Sequence, residues 1–534
     1  MLDIPKTLRE DFRRVERVDD GSESSGPPTS SPRLVAGDDD CVSRVIEPGA
    51  IVCVCNSTYC DSVQDVEVKE NQYVTYTSTK KGKRLQRSIG NFSSQPISNE
   101  IILTVDITQR YQKIFGFGGA MTDAAALNIR TLSNETQQKL LESYYSDKGS
   151  EYVFCRIPIA GTDFSTRPYT YDDVPDDFTL SHFHLAKEDD YKMDYLNKMK
   201  SVMSKPGNLK IFTTAWSAPP WMKNTDDIKW GALKFEYYQR YADYICKFLD
   251  AYNETGIKMW GITTGNEPFN GIWPFFPFNS MFWSSKTGAI FSANYLAPTL
   301  AKAGYNLVYM TLDDQRYGTP WYPKKVFENE KAKKLFSGTA VHWYADTFIS
   351  PLRLDELHDM YPDKFILMTE ACTGSTLFEE HKVILGCWLR GEQYLSDIIE
   401  SLSHWITGWV DWNLALNKSG GPNWANNFVD APIIVMPEND EFYKQPMYYA
   451  LYHVSKFVSP NSTRIGCTGL GTDMSDLVQA IAFSTPENNI VLVLLNKDEK
   501  SYDIAIQDKA IPGKHINLQL PAKSFTTLKY KAKT

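Results

Sequence analysis

The chain has 534 residues, with 56 Lys and Arg against 65 Asp and Glu, a net charge of −9. That balance disfavours nucleic acid as a partner, which calls for a basic face, while a hydrophobic content of 42% supplies apolar mass for two or three large domains. No stretch reads as a membrane span, which needs about 20 predominantly apolar residues, and the N-terminal MLDIPKTLREDFRRVERVDD carries charge throughout instead of the apolar run of a secretory signal.

Residues 1–40 combine Ser/Pro/Gly runs with dense charge, and disorder is expected for this N-terminal extension. Four of the nine cysteines then cluster at Cys41, Cys53, Cys55 and Cys60. So tight a cluster reads as a disulfide staple made in an oxidising compartment. Zinc is the competing reading, though C-x-C followed by x4-C is poor zinc spacing. Six N-x-S/T glycosylation candidates, Asn56, Asn91, Asn134, Asn253, Asn417 and Asn461, point the same way as the disulfides.

From about 70 to 107, QYVTYTSTK and IILTVDIT alternate as strands do. Eight strand-like runs follow, separated by amphipathic helical stretches: 113–119, 153–164, 209–220, 257–268, 306–315, 337–346, 364–372 and 406–416. That alternation predicts a (β/α)8 TIM barrel. A doubly wound sheet is the alternative, because strand count alone does not prove closure. After 460, LVQAIAFST, NIVLVLLN, SYDIAIQD, INLQL and SFTTLKY predict a β-sandwich completed by the strands before the barrel.

Barrel enzymes place reactive groups at the C-terminal ends of strands. Those ends carry Asp163, Trp216, Asn266 with Glu267, Asp313 with Asp314, His342-Trp343-Tyr344, Glu370, and Trp412 with Asn413. A rim of carboxylates, amides and indoles suits a sugar, whose hydroxyls hydrogen-bond and whose C–H face packs on Trp. Glu267 and Glu370, ending the fourth and seventh strands, read as the catalytic pair of a glycosidase, one carboxylic acid and one carboxylate. Core packing is the alternative for Trp216 and Trp412. His342 reads as a support for a carboxylate, and Arg156, inside the second strand, as a buried partner that keeps one ionised. GFGGA at 116–120 has Met121 where a dinucleotide loop needs its third glycine, and reads as a tight strand turn. His182 and His184 have no evident third ligand, so neither metal nor cofactor is expected.

The stretches VCVCNSTYCDS (52–62), GFGGAMTDAAALNI (116–129), TTGNEP (263–268), LDDQR (312–316), AVHWY (340–344), TEAC (369–372), GWVDWNLALN (408–417), GGPNW (420–424), NFVD (427–430) and FYKQPM (442–447) resemble the acid β-glucosidases (glucosylceramidases) of glycoside hydrolase family 30. The resemblance runs from about residue 41 to the end. It implies Glu267 as acid/base, Glu370 as nucleophile, and a glucose pocket of Asp163, Trp216, Asn266, Trp412 and Asn427 with His342 and Tyr344 nearby. It also implies disulfides Cys41–Cys53 and Cys55–Cys60. The implied domains are a small antiparallel β domain (41–64 and 414–446), a β-sandwich (65–112 and 462–534) and the catalytic barrel (113–413 and 447–461).

By the same resemblance the substrate is glucosylceramide, cleaved with retention in two displacements, and the compartment is the lysosome, reached by a secretory route for which this sequence shows no signal peptide. A saposin-type activator would help at an anionic membrane surface. Another retaining glycosidase of the family, such as a xylosidase or a transglycosidase, is the rival. Three further expectations follow: carboxyl groups about 5–5.5 Å apart; Glu370 kept ionised by Arg156; and a peripheral membrane contact through the aromatic loop 268–283, with Trp273, Phe275, Phe276, Phe278, Phe282 and Trp283.

Overall fold

The computed structural model describes residues 39–97, 101–375, 379, 381–469 and 476–533. The disorder expected for 1–40 lies outside them except at Asp39 and Asp40, where Asp39 pairs its backbone with Ser62. Strands β1 (Ser43–Glu47) and β2 (Ala50–Asn56) form an antiparallel hairpin. Disulfides Cys41–Cys53 and Cys55–Cys60 staple it, closing loops of 12 and 5 residues. Loops this short restrict the unfolded chain modestly, by about 2–3 kcal/mol each or less. Peptide mapping without reductant is expected to recover both pairs, and free thiol at Cys53 or Cys60 would contradict the pairing.

After β3 (Gln72–Thr79), β4 (Gln86–Asn91) and β5 (Ile102–Lys113) come the eight barrel strands: β6 (Gly116–Ala120), β7 (Phe154–Ile159), β8 (Lys210–Ala215), β9 (Met259–Thr263), β10 (Val308–Gln315), β11 (Phe336–His342), β12 (Phe365–Glu370) and β13 (Ile406–Asn413). Each pairs in parallel with the next, and β13 pairs back onto β6, which closes the sheet. Parallel strands covered by helices are buried on both faces, and every residue of β7 and β13 is buried accordingly. The glycine run GFGGA forms strand β6, in keeping with the strand-like run 113–119, and the tight turn also expected there is not formed. A Cβ on Gly118 would sit 2.2 Å from the Phe154 carbonyl oxygen, so glycine is what lets β6 approach β7.

Phe154, Phe212, Met310, Ala340, Leu367 and Val410 fill the barrel floor, closed below by edge-to-face contacts of Phe115 with Trp260 and Phe365. The outer helices are amphipathic. In Tyr238–Glu254 the buried Tyr241, Tyr244, Ile245, Phe248, Leu249 and Tyr252 recur at steps of three and four.

β14 (Leu416–Asn417), β15 (Ile433–Met436) and β16 (Glu441–Lys444) complete the small sheet in the order β1-β2-β16-β15-β14, antiparallel except for the short β14–β15 pair. Six strands follow, β17 (Thr463–Thr468), β18 (Val478–Ser484), β19 (Asn489–Asn496), β20 (Tyr502–Asp508), β21 (His515–Leu520) and β22 (Ser524–Lys531). With β3–β5 they form one nine-stranded sheet, β21-β20-β5-β17-β18-β19-β22-β3-β4, folded over a core of its own. The unbroken apolar run of β19 serves two cores. Ile490, Leu492 and Leu494 face the sandwich interior, while Val491, Val493 and Leu495 join the barrel core.

Among the sequons, Asn91, Asn134, Asn253 and Asn461 are exposed. Asn56 and Asn417 are half-buried, and their side-chain oxygens accept backbone hydrogen bonds from Thr58 and Ser419. Among the described residues no helix is long and apolar enough to cross a membrane.

Candidate active site

Arg156 is the hub. It lies in β7, fully buried, with its guanidinium inside the barrel mouth. Nη1 donates to a carboxylate oxygen of Glu370, the last residue of β12, and Nη2 donates to Asn266 Oδ1 (2.8 Å) and Asp313 Oδ2 (3.1 Å). The stacked indoles of Trp216 and Trp412, centroids 5.2 Å apart, lie 5.1 and 5.3 Å from its central carbon, so the cation is held by π-faces as well as anions.

Asp313 sits at a kink in β10, where the pairing register shifts and both Leu312 (φ 74°) and Asp313 (φ 56°) are left-handed. Such strain persists only where surrounding contacts over-determine it. Here Thr263 Oγ1 (2.8 Å), Thr369 Oγ1 (2.7 Å), Arg156 and His342 Nε2 (3.1 Å) converge on one carboxylate. Burial pushes Asp313 upward, but Arg156 and His342 outweigh it and hold it well below the usual carboxylate range. His342 bridges Asp313 to Glu267, its Nδ1 lying 3.0 Å from Glu267 Oε1. Burial disfavours its charge, yet Glu370, Asp313 and Glu267 push the imidazole up to about 10, so it is a cation that donates from both nitrogens.

Glu267 is itself left-handed (φ 39°) and opens the short turn Pro268–Ile272. Its backbone N–H donates to Asp313 O (2.9 Å), and Phe269 N–H donates to Asp314 Oδ2 (3.2 Å), which pins both sides of the turn to β10. Oε1 also accepts from Gln315 Nε2 (2.7 Å), and Oε2 accepts from Asn270 Nδ2 (2.6 Å). Carboxylate oxygens of Glu267 and Glu370 and a ring nitrogen of His342 all lie within 4.8 Å of one another.

Three carboxyls, Asp313, Glu267 and Glu370, thus face two cations, Arg156 and His342. Opposing influences act on Glu370, which Arg156 is expected to keep ionised. Burial pushes its carboxyl above the ordinary range and Glu267 adds to the rise, while His342, Arg156 and Tyr344 pull it back.

The pair opens into a cavity of about 340 Å³. Across it, Asp163 Oδ2 accepts from Asn427 Nδ2 (3.0 Å) and Asn423 Nδ2 (3.2 Å), and burial pushes this carboxyl up to about 7 against those donors. Tyr344 OH donates to Glu370 Oε1 (2.9 Å). A larger cavity of about 440 Å³, beside Tyr152 and Lys456, contains none of these groups.

Of the residues named from sequence, Glu267, Glu370, Asp163, Trp216, Asn266, Tyr344, Trp412 and Asn427 line the cavity together, and Arg156 and His342 lie behind its wall. Sequence reasoning assigned no role to Asp313, Gln315, Asn270 or Asn423. The strand-end rule marks LDDQ as rim but does not say that Asp313 turns inward to the cations.

The aromatic loop is only partly as expected. Trp273 (65% exposed) and Phe275 (99%) project into solvent. Phe276 and Phe278 line the cavity, Phe282 is half-buried, and Trp283 stacks on Phe291 in the core.

Residues 114–458 match the glycosyl hydrolase family 30 TIM-barrel domain, and residues 461–528 match the glycosyl hydrolase family 30 beta sandwich domain. The chain is 39% identical over 481 residues to the lysosomal acid glucosylceramidase of Mus musculus, covering 88% of this chain and 92% of that protein. It is 40% identical over 491 residues to putative glucosylceramidase 3 of Caenorhabditis elegans, covering 90% and 92%. The crystal structure of SrfJ from Salmonella typhimurium superposes with a TM-score of 0.79 at 25% identity, covering 86% of this chain and all of that one. Both domain models match in chain order, and the curated relatives align across nine-tenths of their own length: the chain belongs to glycoside hydrolase family 30.

Proposed function

We propose that the protein is a retaining β-glucosidase that cleaves glucosylceramide to glucose and ceramide. The observation that carries the mechanism is the short separation of the two carboxyl groups, with oxygens within 4.8 Å. Inverting enzymes separate theirs by about 6.5–9.5 Å to admit a water, whereas retaining ones hold them about 5–5.5 Å apart. Glu370 attacks the anomeric carbon as Glu267 protonates the leaving oxygen. Glu267 then draws a proton from water, and the glucosyl-enzyme is hydrolysed. Asp163, Asn266 and Asn427 hold glucose hydroxyls, Trp216 and Trp412 cover its C–H face, and Tyr344 and Arg156 keep Glu370 oriented. NMR of the first-formed sugar should show β-glucose, and α-glucose would refute the mechanism.

The aglycone follows from the glucosylceramidase relatives and from the exposed Trp273 and Phe275 beside the mouth. A ceramide stays in its bilayer, so the enzyme must come to the membrane as a peripheral protein, and a saposin-type activator would act at that same face. Replacing both rings by Ser should weaken binding to anionic liposomes about tenfold or more while sparing a soluble nitrophenyl glucoside. Equal loss of both would mean that the rings support the fold. A second reading draws on 30% identity over 455 residues to an endo-1,6-beta-D-glucanase of Trichoderma harzianum. Faster formation of new reducing ends on β-1,6-glucan than release of glucose from glucosylceramide would favour it.

The lysosome suits this chain in its titration as well. Burial, above all, raises Asp397 to about 6, Asp163 and Asp314 to about 7 and Asp346 to about 8, from an ordinary 3.8. A carboxyl raised by folding contributes stability that is complete below its unfolded value and is lost as pH climbs through the folded one. His453, buried between Ser78 and Thr527 and lowered to about 3, opposes this by losing stability as pH falls from 6.5. Asp172, raised to about 6, and His342, raised to about 10, act in the same direction as the four carboxyls, and this balance against His453 predicts a Tm several degrees higher at pH 5 than at pH 7.5, measurable by differential scanning fluorimetry; the reverse order would contradict it.

A further inference from the structure

The two oxygens of Glu267 are not equivalent. Oε1 takes hydrogen bonds from Gln315 Nε2 and His342 Nδ1, which fill both of its lone-pair directions. Among the described residues Oε2 has one hydrogen-bond partner, the Asn270 amide at 2.6 Å. A general acid must carry its proton on an oxygen with a lone pair to spare, and that oxygen is Oε2. Asn270 lies in the same short turn, three residues on. Its backbone N–H donates to Glu267 O (3.0 Å), and its side chain lines the cavity wall with Gln315 and Phe276.

Resting on the acid/base role of Glu267, we infer that Asn270 is a positioning residue that selects Oε2 as the proton-transfer oxygen and holds it toward the leaving group. A primary amide suits both halves of the reaction. Its N–H donates to the carboxylate that acts as base, and in the acid form the same N–H can donate to the remaining lone pair of the protonated Oε2, leaving the proton free to point at the leaving oxygen. The amide holds the carboxyl on the side opposite His342, so the left-handed backbone at Glu267 does not have to fix the side chain alone.

The test is leaving-group dependence. In Asn270→Ala, kcat/KM should fall about tenfold for alkyl β-glucosides, which need full protonation, and by less than about twofold for dinitrophenyl β-glucoside, which does not. The alkaline limb of the kcat/KM profile should move to higher pH, because a donor to the ionised form is lost. Asn270→Leu, which keeps volume without a polar atom, should show the same pattern. A uniform fall across leaving groups with an unmoved pH profile would overturn the inference and leave Asn270 as filler. Glu267→Gln run in parallel separates the two levels. If it shows leaving-group dependence and Asn270→Ala does not, only the role of Asn270 fails. If neither shows it, the acid/base reading fails as well.

Discussion

Glu370→Gln is expected to lose about 10⁴-fold or more in kcat with a near-native fold, because the amide is isosteric but cannot attack carbon. Activated substrates will not rescue it, since no leaving group removes the need for a nucleophile. Glu267→Gln behaves differently. With a dinitrophenyl glucoside the first step proceeds without an acid, and the second stalls for want of a base. The glucosyl-enzyme should therefore accumulate, visible as a mass increment on the peptide containing Glu370, and added azide should release it as the β-glucosyl azide. Appreciable turnover by Glu370→Gln, or a label on any other peptide, would reassign the nucleophile.

Arg156→Met should damage both activity and stability. The fully buried guanidinium pairs with Glu370 and Asp313, and removing one partner of a buried ion pair costs about 3–5 kcal/mol because the other is left uncompensated. The two carboxyls would take up protons, and a protonated Glu370 cannot attack. A loss of about 10³-fold in kcat/KM with a marked drop in Tm is expected. Arg156→Lys should recover stability better than activity, since one ammonium supplies the charge but cannot span Glu370, Asn266 and Asp313 as a planar fork does. Equal recovery of both would mean that charge alone matters at this position.

Much of this was legible in the sequence because parallel barrels impose a strict rhythm. Eight apolar runs at helix-plus-strand spacing leave few other closed sheets, and the strand-end rule then picks out Glu267 and Glu370 with no reference to contacts. The glycine run of β6 read both as strand and as turn for a physical reason: in sequence, the freedom to turn looks the same as room for a neighbouring backbone. The aromatic loop misled because ring content does not tell which rings find partners. Phe275 and Trp283 are eight residues apart, yet one is in solvent and the other is in the barrel core. Asp313 went without a role because its importance comes from being surrounded, by threonines from β9 and β12, the arginine of β7 and the histidine of β11. No local pattern encodes that convergence.

The double-sided burial of β19 has a consequence for heritable damage. Each of its alternate side chains belongs to a different core, so neither module can melt while the other stays intact, and heat should unfold sandwich and barrel in one transition. Trimming Val493 to Ala opens a void on the barrel side although the catalytic groups are not touched. Molecules that do fold should turn over at the normal rate, and the deficit should appear as fewer of them surviving quality control. Small molecules that bind the pocket would correct such a lesion by stabilising the fold, although they occupy the very site whose output they restore.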